Sequence, residues 1–145
     1  VSRVVRVDLS TQSGCVSGHA IAMQRKLRGK SSWVRFEDEK RTLDQNSMFY
    51  ALYQQIAAQA GDQSVNDVRR ECKLRHGVPI LRAGNEQFKA MYDKAMLHSL
   101  NYEEKLQAMD ILPVTRLMTK EQGTTYIETI LREYSAQGYS LIHPS

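Results

Sequence analysis

The chain has 145 residues, 41% hydrophobic and 25% charged, with 20 Lys and Arg against 16 Asp and Glu for a net charge of +4. That composition excludes global disorder and fits one domain, which at this size buries roughly two-thirds of its unfolded surface. No apolar run reaches bilayer length, and the N-terminus lacks a signal-peptide layout. Cys15 and Cys72 stand far apart and outside metal-ligand spacing, so reduced thiols in a cytoplasmic protein are expected.

In chain order, Val4–Leu9 alternates and is rich in β-branched residues, which predicts a strand. Residues 10–18 are rich in Ser, Thr and Gly and read as a loop. A short helix is expected over Ala20–Leu27, closed by Gly29. Ser32–Glu37 predicts a second strand with Val34 and Phe36 on one face, Trp33 and Arg35 on the other.

Thr42 with Gln45 three positions on forms a capping box, opening a helix whose apolar stripe is Phe49, Leu52, Tyr53, Ile56 and Ala60, ended by Gly61. Ser64 caps a helix running to about Arg75, with Val65, Val68 and Cys72 on a narrow apolar side and Arg69, Arg70 and Lys73 on other faces. Val78-Pro79-Ile80-Leu81 is expected to be extended, because a residue before proline avoids the helical region. A helix follows over about Asn85–Ser99, with Phe88, Met91, Tyr92, Ala95 and Met96 inward. Asn101 to Glu104 starts a short helix that Pro113 stops, and Thr119 with Gln122 opens the last, with Gly123, Tyr126, Ile127, Ile130, Leu131 and Tyr134 at helical spacing. Gly138 ends it before a short tail. The expected class is α+β: a small antiparallel N-terminal sheet packed against a larger set of helices, in a single domain spanning 1–145.

Catalytic and metal motifs are sparse. His19, His76, His98 and His143 are scattered, with no paired spacing for zinc, and there is no phosphate loop, dinucleotide fingerprint or nucleophile elbow. Glu37, Asp38 and Glu39 read as a solvated turn, since adjacent strand-end acids diverge while a two-metal site needs acids converging from several elements.

The basic residues are clustered. Arg25, Lys26, Arg28 and Lys30 carry no acid among them, and Arg69, Arg70, Lys73, Arg75 and Arg82 are accompanied by Glu71 alone. Two such clusters point to an anionic partner, nucleic acid first, against the reading of solvated helix faces. Single strands also need aromatic faces for stacking. Trp33 beside Arg35 offers one, and Tyr50 beside Gln45 and Asn46 another; burial in the core is the competing reading for both rings. Gln45 and Asn46 can bond phosphates, sugars or base edges, although capping explains Gln45 without any ligand. If part of the last helix's apolar stripe is exposed, a two-fold dimer is the default assembly.

The segment Val34-Arg35-Phe36-Glu37-Asp38-Glu39-Lys40-Arg41-Thr42-Leu43-Asp44-Gln45-Asn46 resembles the NinB (Orf) family of lambdoid phage recombination proteins. There too a strand leads through a charged turn into Arg-Ser/Thr-Leu-Asp-Gln-Asn and a helix with an aromatic a few residues on; Tyr50 stands where a Trp occurs in the lambda protein. A Met-Thr-Lys-Glu segment at 118–121 extends the resemblance, and residues 62–112 lie outside it. The resemblance implies a homodimeric, cofactor-free accessory protein in a bacterial host cell. Such a protein binds single-stranded or branched DNA and helps a recombinase displace single-stranded-DNA-binding protein. In that reading Arg69, Arg70, Lys73, Arg75 and Lys120 hold phosphates and Trp33 or Tyr50 stacks on bases. The alternative from a different class is a magnesium-dependent structure-specific nuclease using Asp44 with Glu37 or Asp67.

Overall fold

A computed structural model describes residue 7, residues 12–27, residue 29 and residues 42–144. The backbone divides into two compact units, Val1–Glu37 and Asp38–Ser145. Within the described residues the chain is helical and carries no sheet, which overturns the expected α+β class with its antiparallel layer. The two expected strands, with Trp33 and Arg35, lie outside the described residues.

In the first unit, helix α1 spans Gln12–Leu27. It begins well before the expected Ala20, taking in the Ser- and Gly-bearing stretch read as a loop. Those residues weaken a helix by only about 0.5–1 kcal/mol each, too little to forbid one. Gly29 follows at φ 66°, the left-handed conformation of a helix stop.

The second unit opens with α2, Leu43–Ala60, capped by Thr42 and closed by Gly61 at φ 78°. Phe49, Leu52, Tyr53 and Ile56 are fully buried, each worth about 1.5–3 kcal/mol relative to exposure. Ala57 completes the stripe in place of the expected Ala60. Helix α3, Val65–Cys72, is held by a Ser64–Asp67 capping box and packs on α2 through Val68 and Cys72.

The chain does not break at His76-Gly77. A π turn over Lys73–Gly77 leads straight into α4, Val78–Gly84, so the expected extended segment is helix. Pro79 is near the start of α4, and its missing N–H falls where the π turn passes into the α-helix. Gly77 is helical, and its role is packing: a Cβ there would lie 2.8 Å from Val114 Cγ1.

Helix α5, Glu86–Tyr92, starts at an Asn85 cap and passes into a second π turn, Asp93–Leu97. Phe88, Tyr92 and Met96 face inward as expected, while Met91 and Ala95 are exposed. Helix α6, Tyr102–Ala108, and helix α7, Lys120–Ala136, each begin at a full capping box.

Helices α2 and α7 pack against each other. The Phe49 and Tyr126 rings meet edge-on at 5.0 Å, and the Tyr53 and Tyr126 hydroxyls share a buried hydrogen bond of 2.8 Å. That bond satisfies both phenols in an otherwise apolar centre, where an unpartnered hydroxyl would cost about 1–3 kcal/mol.

Candidate nucleic-acid interface

The start of α2 carries the distinctive motif, and its geometry separates structural residues from surface ones. The Gln45 backbone N–H donates to Thr42 Oγ1 at 3.0 Å, and Gln45 Oε1 accepts from the Thr42 N–H at 3.2 Å. Gln45 Nε2 then donates to the Lys120 carbonyl at 2.9 Å and to Thr124 Oγ1 at 3.2 Å. The side chain is buried and its polar atoms are spoken for by α2 and α7. Gln45, expected as a nucleic-acid contact, is therefore a structural tie between two helix starts.

Leu43, Asn46 and Tyr50 share the opposite, outward face of α2. Leu43 is 87% exposed and Tyr50 42%, while Asn46 is half-buried. The Tyr50 ring stands edge-on to the Tyr53 ring at 5.6 Å, which fixes its inner edge and leaves the rest open to solvent. Lys120 lies on the first turn of α7 with its side chain exposed. The Gln45 bond brings its backbone to the start of α2.

The α3 bases are sorted by their partners. Arg70 Nε donates to Asp110 Oδ1 at 2.9 Å while its terminal nitrogen bonds the other carboxylate oxygen, a bidentate pair. Arg69 reaches the same carboxylate at 3.9 Å, and Arg70 also lies 3.9 Å from Asp67. The Arg70 hydrogen bond holds the Asp110 carboxyl below its ordinary range, with the Arg70 and Arg69 charges adding to it. Arg75 pairs with Glu71 at 3.0 Å on the same helix face, with half its side chain still exposed.

Lys73 contradicts its expected role as a phosphate contact. It is only 2% exposed, and its ammonium donates inward to the Met109 carbonyl and, at 2.9 Å, to the Leu112 carbonyl. Burial pushes its pKa down to about 8, with Arg69 pushing the same way and Asp110 opposing. The lysine ties the chain beyond α6 to the α3 junction and never reaches the surface.

Arg116, unmarked by the sequence, is exposed and close enough for its charge to act on Lys73. Arg69, Arg70, Lys73 and Arg116 against Asp110 and Asp67 leave an excess of positive charge here. Arg69 on α3 and the exposed Tyr50 on α2 are carried by two helices that pack against each other. Nothing local in the sequence singles out Arg116, because it joins the cluster only through the packing of the 109–118 loop.

The alternative nuclease reading uses Asp44 with Glu37 or Asp67. Asp67 is occupied by the Ser64 cap, which holds its carboxyl below the ordinary range, and Asp44 is exposed on the first turn of α2. Glu37 lies outside the described residues. Among the described residues no group of three or more His, Cys, Asp or Glu side chains is placed to hold a metal ion, and no helix is long and apolar enough to cross a membrane. The buried Cys72 thiol is pushed up to about 12 by desolvation and contacts the Tyr134 hydroxyl at 3.6 Å, a core group rather than a nucleophile. No protein-family model, curated protein or solved structure matches the chain.

Proposed function

We propose that the chain binds single-stranded or branched DNA through the α2–α3 face and serves as an accessory protein of phage-type homologous recombination. The observation that carries the binding is the half-exposed Tyr50 ring on α2, with Arg69 carried by the helix packed against α2. A π face for a base and a cation for the backbone are the two elements a single strand needs. Arg69, Arg70, Arg116 and the exposed half of Arg75 hold phosphates in this reading; Lys73 and Gln45 do not. The recombination role, the homodimer and the partnership with a recombinase and a single-stranded-DNA-binding protein are supported by the Arg41–Asn46 resemblance.

The test is a salt-titrated binding measurement with single-stranded, forked and duplex DNA, with and without magnesium. Binding that favours single-stranded or forked DNA, weakens with salt and leaves the DNA uncut supports the proposal. Magnesium-dependent cleavage that Asp44→Ala abolishes would replace it with the nuclease reading.

A further inference from the structure

The residues after α7 do not trail into solvent. Gln59 Nε2 donates to the Ser140 carbonyl at 2.9 Å while its Oε1 accepts from the Ser140 N–H at 2.8 Å. One turn earlier on α2, Gln55 makes the same double bond with Ile142, at 3.0 and 2.8 Å. Each carboxamide thus closes a ring with one residue's N–H and C=O, as an opposed residue does in an antiparallel β ladder.

The two periods agree. Glutamines four apart on a helix rise about 6 Å, and alternate residues of an extended chain advance about 6.6–6.8 Å. Alternation also divides the side chains. Tyr139 and Leu141 pack against the core, with the Tyr139 ring edge-on to Tyr134 at 5.4 Å. Ser140 and Ile142 point outward, Ile142 being 77% exposed. Recognition is therefore of main chain at 140 and 142 and of apolar side chains at 139 and 141. The segment is joined to α7 through Gly138 at φ 98°, a conformation that turns the chain back and that other residues rarely adopt.

We propose that Gln55 and Gln59 form a docking track for an extended peptide, that residues 139–142 are its resident occupant, and that the same segment of a second copy of this chain can take their place. The argument for that occupant is the seated segment itself. It supplies the register and both apolar anchors, and a second copy supplies the identical sequence. An occupant that follows α7 and is held through backbone bonds at 140 and 142 exchanges without unwinding the helices beneath it. Covalent attachment gives the resident segment an effective concentration in the millimolar range. The track is accordingly closed to competitors until the segment is released.

The test uses the full chain. In the wild type, amide hydrogen exchange of Ser140 and Ile142 is slowed, and Gln55→Ala with Gln59→Ala speeds it at least tenfold while the α7 amides keep their protection. Leu141→Asp removes the inward anchor and opens the track. A fluorescent peptide with the sequence of Tyr139–Ser145 then binds this variant, and binds at least tenfold more weakly when Gln55→Ala and Gln59→Ala are added. Freely exchanging Ser140 and Ile142 amides in the wild type would overturn the proposal. So would absence of peptide binding to Leu141→Asp, equal binding after loss of both glutamines, or equal binding of a scrambled peptide.

Discussion

Gln45 Nε2 and the Lys120 carbonyl, 75 residues apart in sequence, are joined at 2.9 Å, so one glutamine both caps α2 and fastens it to the start of α7. Gly123 makes this approach feasible. A Cβ at that position would come within 2.9 Å of Gln45 Oε1 and 3.1 Å of its other carboxamide atoms. Gln45→Ala is expected to destabilise the fold by about 1–3 kcal/mol, from loss of half the capping box and of the two bonds that the carboxamide makes to the start of α7. Gly123→Ala destabilises the wild type by displacing Gln45. In the Gln45→Ala background the clash is gone, and the same change stabilises by up to about 1 kcal/mol, the helix preference of Ala over Gly. Urea unfolding of the four proteins in this cycle checks the reversal of sign.

Lys73 makes stability depend on pH in an unusual direction. Its pKa is about 8 in the fold against 10.5 unfolded, so above pH 8 the unfolded chain holds a proton that the folded chain has released. Stability contributed by this group therefore rises with pH between 8 and 10.5. At 1.36 kcal/mol per unit, the wild type should gain about 2 kcal/mol relative to Lys73→Met between pH 7 and pH 9.5. Comparing the two proteins removes the opposing effect of Cys72, whose raised pKa stabilises below about pH 9 and is lost above it. Denaturant midpoints at the two pH values measure the difference.

Asp110 restrains the basic cluster, and Asp110→Asn should release it. Single-stranded DNA binding is expected to tighten, and the salt slope to steepen by about 0.7 for each further phosphate that the freed arginines neutralise. The carboxyls of Asp110 and Asp67 lie below their unfolded values, so their stabilisation is present above the ordinary carboxylate range and lost as pH falls through their folded pKa values. Asp110→Asn should flatten that acid limb. Acid titrations followed by circular dichroism, beside binding isotherms at fixed salt, check both effects.

Gly77 lies against Val114 rather than at a helix break. Gly77→Ala should destabilise by about 1–2 kcal/mol, overpacking outweighing the helical preference of alanine. A break at this position would instead leave the substitution neutral or stabilising in thermal unfolding.

The helix starts were legible in the sequence because capping is local: Thr42 with Gln45, Asn101 with Glu104 and Thr119 with Gln122 each complete a box within four residues. The α2 stripe followed from 3.6-residue spacing for the same reason. Pro79 misled because its preference against helix acts on the residue before it, and Val78 is helical all the same where the π turn passes into α4. The role of Lys73 was hidden because its acceptors, Met109 and Leu112, lie more than thirty residues downstream. The Arg70–Asp110 pair and the Gln55–Ile142 bond were hidden likewise, since composition marks a charge or an amide but not its distant partner. Tyr50 was marked by the motif, and its exposure required the fold.

The most direct measurement is the affinity for a single-stranded oligonucleotide across a salt series, for the wild type, Arg69→Ala and Tyr50→Ala. The wild type should bind with a log–log slope that Arg69→Ala reduces by about 0.7, as expected when one phosphate is no longer neutralised. Tyr50→Ala should weaken binding by about 1–3 kcal/mol at every salt concentration and leave the slope unchanged, as loss of one stacked base requires. No binding at low salt, or binding that neither substitution alters, would contradict DNA recognition by the α2–α3 face.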